Sequence, residues 1–388
     1  MTVETISLGC RLNFAESETI ARAAPADEDW IVVNSCTVTN EAVRQTRQAI
    51  RHAYRQRPGA KILVTGCAAE LDPVSFEAMP EVRRVVGNAR KLNAFSTPDA
   101  MTPAPAGLLA KVKSFVAIQM GCDHCCTFCS IWQARGPSRS IAFEAVRDAV
   151  AREIDRGAKE IVLTGVDITD YNGGLGNLCQ RLLAAEPRLK RLRLSSLDSV
   201  EIDDSLHELI AGELRLMPHF HLSLQAGDDM ILKRMKRRHN RADAVRTVER
   251  IKAARLDASI GADLIAGFPT ETEEMSLNTL KLLDDCDIIA AHVFPFSPRP
   301  TTPAARMPQL PREMVKARAA RLRDTAAERR SRWLDSLVGS TQPLLVEGDH
   351  RGHTDNFAPI AIVGAKPGQS GLARITNVTQ DTLTAVWA

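Results

Sequence analysis

Three cysteines in one short segment have the spacing of a cluster-binding loop. Cys122, Cys126 and Cys129 follow the pattern C-x3-C-x2-C. Thiolates this close on one loop can hold three irons of a 4Fe–4S cube and leave the fourth iron without a protein ligand. A cluster with such an open iron can carry out chemistry itself and is not limited to electron transfer. Cys125 lies directly beside Cys126, and we assign it no ligand role because adjacent side chains seldom both reach one cube.

The open iron determines which chemistry this loop predicts. It can bind S-adenosylmethionine through the amino and carboxylate groups of that cofactor and pass it one electron. The sulfonium then breaks into methionine and a carbon radical that removes hydrogen from an unactivated C–H bond. A structural zinc loop is the alternative, but zinc loops usually have a second C-x2-C pair or a Cys/His pair further along. No second pair follows here, so we favour the radical interpretation.

A second set of three cysteines lies in the first part of the chain. Cys10, Cys36 and Cys67 each come just after an apolar, strand-like run. The carboxyl ends of parallel strands meet at one edge of a sheet, where open α/β sheets collect their ligands. We therefore expect the three thiols to meet in space and to hold a second cluster with a free iron. The alternative is three buried cysteines that each act as a small apolar side chain.

Alternating strands and helices must position these N-terminal cysteines. Apolar runs alternate with helical patterns over residues 1–95, which predicts a Rossmann-like α/β domain with parallel strands. A segment with three prolines follows, and we predict that 96–112 is a linker. The predicted strands are 3–8, 30–33 and 61–64, and the predicted helices are 15–24 and 40–55.

Two further domains are predicted after the linker. Residues 113–335 repeat strand and helix, which indicates a partial or full (β/α) barrel. Residues 336–388 change to short β-like runs separated by glycines, which predicts a small antiparallel barrel of a kind that often carries RNA. The predicted strands are 115–119, 160–164, 191–195, 219–224, 258–265 and 288–294, then 343–346, 360–363, 372–375 and 382–387.

Polar residues fall at the ends of the predicted barrel strands. The carboxyl edge of such barrels is where active sites are built, so these residues are candidates for binding the cofactor. An aspartate after a strand can instead cap the helix that follows, and that alternative applies to each of them. The candidates are Gly165, Asp167, Ser195, Asp198, Gln225 and Asp263.

The basic residues are unevenly distributed although the net charge is only +3. A helical face begins with Arg44 and Arg47, a second cluster contains Arg237 and Arg238, and a third covers 312–332. Each cluster alone is more often a solvated helix face than a binding site. Three in one chain indicate a polyanionic partner, and we take the four named arginines as candidate RNA contacts.

The composition predicts a cytoplasmic protein. Hydrophobic residues at 44% and charged residues at 25% are ordinary for a soluble globular protein. No signal peptide is recognisable, and no apolar stretch approaches the roughly 20 residues that span a bilayer. Nine cysteines without an export signal indicate metal binding or catalysis in a reducing compartment rather than disulfides.

In these residues and motifs, the chain resembles the radical S-adenosylmethionine methylthiotransferases along nearly its whole length. Segments 7–13, 33–39 and 65–68 are similar to the three cysteine motifs of that family's N-terminal domain. The segment 119–140 resembles its radical motif, and the C-terminal module is similar to its TRAM domain. Arg11 and the segments 163–166 and 193–196 are most similar to the branch that modifies N6-threonylcarbamoyladenosine beside the tRNA anticodon.

The resemblance implies an activity and its cofactors. The enzyme would methylthiolate carbon 2 of N6-threonylcarbamoyladenosine at tRNA position 37, with two 4Fe–4S clusters and S-adenosylmethionine. The cluster on Cys122, Cys126 and Cys129 would generate the radical, and the cluster on the other three cysteines would present sulfur. The implied partners are the tRNA anticodon stem-loop and a low-potential electron donor such as flavodoxin or ferredoxin, with no membrane.

Three alternatives remain beside this interpretation. The substrate could be isopentenyladenosine tRNA or a ribosomal protein. The chain could be a radical enzyme whose N-terminal domain holds no cluster. It could also be a non-catalytic protein that binds zinc and RNA.

Overall fold

The computed structural model describes residues 3–25, 27–95 and 112–388, together with the backbone of 106–110. The N-terminal part forms a sheet of four parallel strands in the order β1-β2-β3-β4. This arrangement confirms the α/β class, and each of the three predicted strands is present. The elements in chain order are β1 (Glu4–Ser7), α1 (Arg11–Ala23), β2 (Trp30–Ser35), α2 (Asn40–Gln56), β3 (Lys61–Gly66), α3 (Cys67–Leu71), α4 (Pro73–Glu77) and β4 (Val82–Val85).

The strands are uniformly apolar because both faces of this sheet are covered. All six residues of β2 are buried. Ile31 and Val33 pack with Ile50 of α2 on one face, whereas Val32 packs with Ile20 of α1 on the other. Continuous apolar runs are typical of parallel strands that helices cover on both sides.

Helix α1 begins at Arg11, four residues before the predicted start at 15. The first turns of this helix bury polar side chains, and the apolar pattern on which the prediction rests does not include them. The Asn13 amide donates to the backbone oxygens of Leu8, at 2.7 Å, and Ser35, at 3.1 Å. The Ser17 hydroxyl donates to the Asn13 backbone oxygen at 2.8 Å. Internal hydrogen bonds let polar residues occupy a buried helix face, and such residues interrupt the apolar period that a sequence shows.

The central part of the chain forms an open barrel. Strands β6, β9 and β10 run parallel in one sheet, and β11, β12 and β13 run parallel in another. Two isolated bridges, Leu192–Leu216 and Leu197–Leu222, join the two sheets. The elements are β5 (Ala106–Ala110), β6 (Lys113–Ala117), β7 (Gln119–Met120), α5 (Ile131–Arg135), β8 (Arg139–Ser140), α6 (Phe143–Asp155), β9 (Glu160–Thr164), α7 (Leu175–Ala185), β10 (Leu192–Leu194), α8 (Asp204–Gly212), β11 (His219–Gln225), α9 (Asp229–Arg234), α10 (Arg241–Ala254), β12 (Ser259–Ala266), α11 (Glu273–Asp285), β13 (Ile288–Pro295) and α12 (Arg312–Ser336).

Two details of this barrel differ from the sequence predictions. Strand β5 pairs antiparallel with β6, so the last part of the predicted linker 96–112 belongs to the sheet. Residues 96–105 and 111 lie outside the described residues. The predicted strand 115–119 is divided into β6 and β7, and β7 forms a separate antiparallel pair with β8.

The C-terminal part forms a closed barrel of five strands in the order β14-β15-β16-β18-β17. This confirms the small β-barrel, although β16 and β18 pair parallel and not antiparallel as predicted. The sequence missed β15, because the strand reads Arg-Gly-His-Thr and lacks apolar alternation. The strands are β14 (Thr341–Gly348), β15 (Arg351–Thr354), β16 (Pro359–Ala361), β17 (Ser370–Thr379) and β18 (Thr382–Trp387).

This small barrel closes one end of the open barrel. The ring of Phe357 stacks on His219, the first residue of β11, with 5.0 Å between centroids. The ammonium of Lys113, the first residue of β6, lies 5.2 Å from the same ring centroid. The Ser259 hydroxyl, at the start of β12, donates to the Asn356 backbone oxygen at 2.6 Å. These contacts all lie at the amino ends of the strands, so the carboxyl ends are left for the cysteine loop.

Among the described residues, none of the helices combines the length and the apolar character that crossing a bilayer requires.

The Phe357→Ala variant tests this closure. It removes an aromatic ring that stacks on His219 and His353 and lies beside two cations, so we expect the free energy of unfolding to fall by about 2 kcal/mol. Calorimetry of the cluster-free protein measures this as a lower Tm. Val363→Ala, at a side chain that is 90% exposed in the same region, is the control and should leave Tm unchanged. Equal Tm values for the two variants would contradict the role of the ring.

Candidate active site

A glutamine holds the base of the cysteine loop. The Gln119 side-chain oxygen accepts hydrogen bonds from the backbone of Val166, at 3.1 Å, and of Asp167, at 2.9 Å. Its amide nitrogen donates to the Gly121 backbone oxygen at 2.9 Å. At Gly165 a Cβ atom would lie 2.8 Å from the Gln119 backbone oxygen, so only glycine permits this approach. The loop is thus fixed to the carboxyl end of β9.

Two of the three thiols of the loop have nearby hydrogen-bond donors. The Ile131 backbone N–H donates to the Cys129 sulfur at 3.3 Å, and an Arg237 guanidinium nitrogen lies 3.8 Å from the Cys126 sulfur. Burial raises the pKa of Cys122 to about 12 and that of Cys129 to about 11. Because iron binds the thiolate, cluster binding at these sulfurs must release protons. Cys125 is exposed and points its sulfur toward the Asp123 backbone oxygen, 3.8 Å away.

The N-terminal thiols follow three neighbouring parallel strands, as the sequence predicts. Cys10 precedes α1, Cys36 follows β2, and Cys67 is the first residue of α3. Gly9 has φ +91°, and a Cβ atom there would lie 2.6 Å from the Cys36 sulfur. This glycine allows the first and second strand ends to approach. Burial raises the pKa of Cys36 to about 11.

The donor sets fit a cluster of several irons better than a single zinc ion. Thiolates on one zinc ion lie roughly 4 Å apart, since each Zn–S bond is about 2.3 Å. Among the described residues, two groups have their ligand atoms all within 4.8 Å of one another, and neither contains a cysteine. Cys10 is exposed and Cys129 is half-buried.

A buried arginine of the central barrel enters the N-terminal domain beside its thiols. Arg135, the last residue of α5, donates from Nε to the Cys67 sulfur at 3.3 Å. Its terminal nitrogens contact Glu16 and the Asn13 side-chain oxygen, each at 2.5 Å. The Arg135 side chain is 2% exposed and that of Glu16 is completely buried. This contact therefore joins the two thiol sets through a buried ion pair.

A second cation completes this network. The Lys91 ammonium lies 2.5 Å from Glu16, and it also donates to the Asn88 side-chain oxygen at 2.8 Å. Burial alone would raise the pKa of Glu16, but Arg135 and Lys91 lower it. Two cations share one carboxylate here, which leaves one positive charge beside Cys67. A thiolate or an anionic cluster at that position would balance the charge.

Arg299 makes a second connection between the two domains. This residue, in the loop after β13, is buried and donates to the Thr37 hydroxyl at 2.7 Å and to the Asn40 side-chain oxygen at 2.5 Å. Thr37 directly follows Cys36. Both bridging arginines thus reach the segments that carry the N-terminal thiols.

The predicted cofactor residues occupy two different levels of the barrel. The buried Asp167 lies 3.1 Å from Nε2 of His124, a member of the cysteine loop, and burial raises its pKa. Asp198 accepts from Arg237 at 2.8 Å close to Cys126. Ser195 and Gln225 lie at the carboxyl ends of β10 and β11, with Gly165 and Asp167 after β9.

Asp263 corrects the sequence prediction, because it lies in the middle of β12 rather than at its end. One carboxylate oxygen lies 3.0 Å from Nε2 of His221 and 3.1 Å from Nδ1 of His292. Although burial alone would raise the pKa of Asp263, these two contacts lower it well below its usual value. The aspartate belongs to a polar group inside the barrel, below the rim where the cysteine loop lies.

Arg237 is a second correction. The sequence places it among the RNA contacts, but its side chain is 6% exposed and donates to Asp198 and to the Ser223 backbone oxygen, each at 2.8 Å. A guanidinium held in this way is not available to an RNA backbone at the surface. Its neighbour Arg238 is half exposed and pairs with Glu201.

A basic cleft opens beside the N-terminal thiols. It has a volume of about 720 Å³, and Thr37 and Ala68, which follow two of the cysteines, lie in its wall. Arg44 is exposed and pairs with Glu41, whereas Arg47 donates to the Ser75 hydroxyl at 2.8 Å. The arginines that line this cleft are Arg44, Arg47, Arg51 and Arg299.

Known proteins share both parts of this arrangement. Residues 116–283 match the family model described as the Radical SAM superfamily, and residues 2–87 match the one described as uncharacterized protein family UPF0004. A threonylcarbamoyladenosine tRNA methylthiotransferase MtaB from Rickettsia prowazekii (strain Madrid E) is 43% identical over 382 residues, which cover 92% of this chain and 91% of that relative. The chain belongs to the radical S-adenosylmethionine methylthiotransferase family.

Two further proteins are similar to this chain at lower sequence identity. A tRNA-2-methylthio-N(6)-dimethylallyladenosine synthase from Erythrobacter litoralis (strain HTCC2594) is 34% identical, over 90% of this chain and 88% of that relative. The structure of the radical S-adenosylmethionine methyltransferase TsrM from Kitasatospora setae, with tryptophan and a SAM analog bound, has a TM-score of 0.54 at 16% identity, covering 75% of this chain and 66% of that one. That structure shows the shared fold. The cofactors of the family are S-adenosylmethionine and a 4Fe–4S cluster, and MtaB-type members carry a second cluster.

The sequence alone missed several residues that organise the site of this methylthiotransferase. Gln119, His124 and Arg135 lie inside the segment that resembles the family's radical motif, but nothing in their spacing shows what they contact. Glu16 and Lys91 are 75 residues apart and meet only in the folded chain.

A double-mutant cycle tests the ion pair between Arg135 and Glu16. We expect Arg135→Met and Glu16→Gln each to lower the free energy of unfolding of the cluster-free methylthiotransferase by about 3 kcal/mol, because each leaves a buried charge without its partner. The double variant should cost about 2 kcal/mol less than the sum of the two. Denaturant titration measures all four proteins. The same cycle on the exposed pair Arg147 and Asp148 is the control, and we expect a coupling energy below about 0.5 kcal/mol there. Equal coupling energies in the two cycles would contradict a buried ion pair between Arg135 and Glu16.

Proposed function

We propose that this chain methylthiolates carbon 2 of N6-threonylcarbamoyladenosine beside the tRNA anticodon, at position 37. The observation that carries the proposal is the pair of three-thiol sets that buried arginines hold together across two domains. Relatives named for this reaction that cover nearly the whole chain support the same substrate. A tRNA methylthiotransferase needs one place that generates a radical and another that delivers sulfur.

The chemistry explains why two thiol sets are needed. Carbon 2 of adenine bears a hydrogen with no useful acidity, so a general base cannot remove it near neutral pH. When bound, the two 4Fe–4S clusters and S-adenosylmethionine supply the electron, the radical and the sulfur and methyl groups. We assign Cys122, Cys126 and Cys129 to the radical cluster and Cys10, Cys36 and Cys67 to the sulfur-delivering cluster. The corresponding domains are 113–335 and 1–95.

The side chains around Cys122, Cys126 and Cys129 would orient the radical cluster. Arg237 places a positive charge beside Cys126 and ties Asp198 to the same loop. His124 connects that loop to Asp167 at the end of β9. With Gly165, Ser195 and Gln225, these carboxylates form the rim where the amino and ribose groups of S-adenosylmethionine would accept or donate hydrogen bonds. The C-terminal barrel, residues 336–388, closes the opposite end.

The RNA would approach along the basic cleft of the N-terminal domain. Arg44, Arg47 and Arg51 line it, and the exposed Arg238 lies at the rim of the radical site. A nucleotide of an anticodon loop is already largely unstacked, so its base can enter the space between the two thiol sets. Phosphate contacts by arginine supply most of such affinity, and it should fall steeply with salt. A flavodoxin or ferredoxin in the cytoplasm would supply the electron.

Nucleoside analysis of tRNA from a deletion strain tests the substrate. We expect 2-methylthio-N6-threonylcarbamoyladenosine to disappear and its unmethylthiolated precursor to accumulate. A plasmid copy of the chain should restore the product, and a copy with Cys126→Ala should not. If the deletion strain keeps this nucleoside and instead loses the methylthio group of isopentenyladenosine, the substrate assignment is wrong.

Iron analysis of anaerobically reconstituted protein tests the two-cluster assignment. We expect about eight irons per chain, and about four in each of the variants Cys67→Ala and Cys126→Ala. Cys67→Ala should abolish methylthiolation but retain some cleavage of S-adenosylmethionine, whereas Cys126→Ala should abolish both, because only the second removes the radical cluster. Cys125→Ala, at the neighbouring exposed thiol, is the matched control. Four irons in the unaltered protein, or equal loss of cleavage in the two variants, would count against two clusters.

A further inference from the structure

Helix α1 of the N-terminal domain covers part of the inner face of the open barrel. Val116 and Ile161 pack against the outer helices in the main core. Because side chains alternate along a strand, Phe115 and Val162 point to the opposite, inner face. Ala15 of α1 packs against both of these residues. The first turn of α1, which directly follows Cys10, therefore lies where the inside of the barrel meets the N-terminal thiols.

Arg11 extends from this turn into the barrel. Its guanidinium carbon lies 5.7 Å from the ring centroid of Phe115. The residue is half-buried, and another cation, Arg193, lies close enough to repel its guanidinium. Placing a cation here is thus unfavourable unless an anion accompanies it.

No anion of the described chain fills that role. Glu160, Glu347 and Asp263 are close enough to influence Arg11 electrostatically, yet no hydrogen bond or ion pair joins its guanidinium to any residue that the structure describes. Each of these carboxylates already has a partner: Arg193 at 2.9 Å for Glu160, Lys113 at 2.7 Å for Glu347, and the ring of His221 at 3.0 Å for Asp263. A half-buried guanidinium without an anionic partner is suited to bind the anionic group of a ligand.

The proposed substrate carries such a group in the required position. The threonylcarbamoyl substituent on N6 ends in a free carboxylate, whereas a dimethylallyl substituent is apolar and uncharged. The N6 group lies on the same six-membered ring as carbon 2. A base whose carbon 2 faces the thiol set of Cys10 would therefore bring its N6 substituent near the residue that follows this cysteine. Guanidinium and carboxylate form paired hydrogen bonds of defined geometry.

We propose that Arg11 binds the carboxylate of the threonylcarbamoyl group and thereby selects this base over one with an apolar N6 substituent. This inference rests on the proposed function, since it identifies the group that the same site recognises. Loss of a hydrogen bond to a charged group costs about 1.5–3 kcal/mol, which corresponds to roughly 10- to 150-fold in affinity or kcat/KM. The alternative anion is an RNA phosphate, which every tRNA carries.

Three synthetic anticodon stem-loops distinguish these possibilities. One carries threonylcarbamoyladenosine at the target position, one carries the carboxamide of that group, and one carries unmodified adenosine. For the unaltered protein we expect kcat/KM to be roughly 100-fold higher for the carboxylate than for the carboxamide. Arg11→Met should bring the two values within about threefold, and Arg11→Lys should recover part of the preference because it keeps the charge but loses the paired geometry.

Binding to cluster-free protein supplies a readout that does not depend on activity. The ratio of Kd values for the carboxylate and carboxamide stem-loops, from fluorescence anisotropy, should change in the same direction as kcat/KM. Arg22→Met, at the other end of α1, is the matched control and should keep the preference of the unaltered protein. Iron analysis shows whether the Arg11→Met protein still holds the cluster beside this residue. If the cluster is lost, the ratio of Kd values alone tests the role of Arg11.

The outcomes separate this inference from the function on which it rests. If the unaltered protein methylthiolates no threonylcarbamoyladenosine stem-loop, the proposed function fails. If it does so but treats carboxylate and carboxamide equally, Arg11 does not recognise the carboxylate. A fall in affinity of Arg11→Met that is equal for all three stem-loops would overturn the inference and indicate a phosphate contact.

Discussion

The buried contact between Arg135 and Glu16 is the constraint on which the site depends. A reaction that generates a radical at one thiol set and delivers sulfur from another needs a fixed separation between them. A covalent linker alone leaves the two domains free to move, whereas a buried ion pair is tolerated only when both partners are in place with good geometry. Asn13 and Cys67 both accept hydrogen bonds from the guanidinium of Arg135. This one side chain therefore positions the two domains relative to each other and orients the Cys67 thiol.

The positive charge beside Cys67 suits the anionic cluster that the N-terminal thiols would hold. Arg135 and Lys91 exceed the single carboxylate of Glu16 by one positive charge, immediately beside Cys67. Near the other set, Arg237 approaches Cys126. Burial raises the pKa of several of these thiols, so the neutral thiol is favoured until iron displaces the proton. Nearby cations reduce the cost of holding the thiolate form in the interior.

The open barrel is filled from two sides by other parts of the chain. Phe357 of the C-terminal barrel closes the amino ends of the strands, and α1 of the N-terminal domain lies against the inner face. Side chains of all three parts of the chain therefore border the space inside the open barrel. An open barrel permits this because its strands do not close, so the space inside is available to neighbouring domains. The small C-terminal barrel thereby has a structural role in addition to the RNA binding that the sequence predicts.

The sequence by itself determined the chemistry and the order of the elements. The C-x3-C-x2-C spacing is local, and the three N-terminal cysteines follow apolar runs that form adjacent strands, so both thiol sets follow from short-range pattern and sheet geometry. Only the tertiary structure decided which charges meet. Arg135 and Glu16 are 119 residues apart, Arg237 turns inward to Asp198, and Asp263 lies inside the barrel with two histidines. Periodicity identifies the face of an element on which a residue lies but not the element packed against that face, and a charged residue has the same pattern whether it meets water, an ion-pair partner or a ligand.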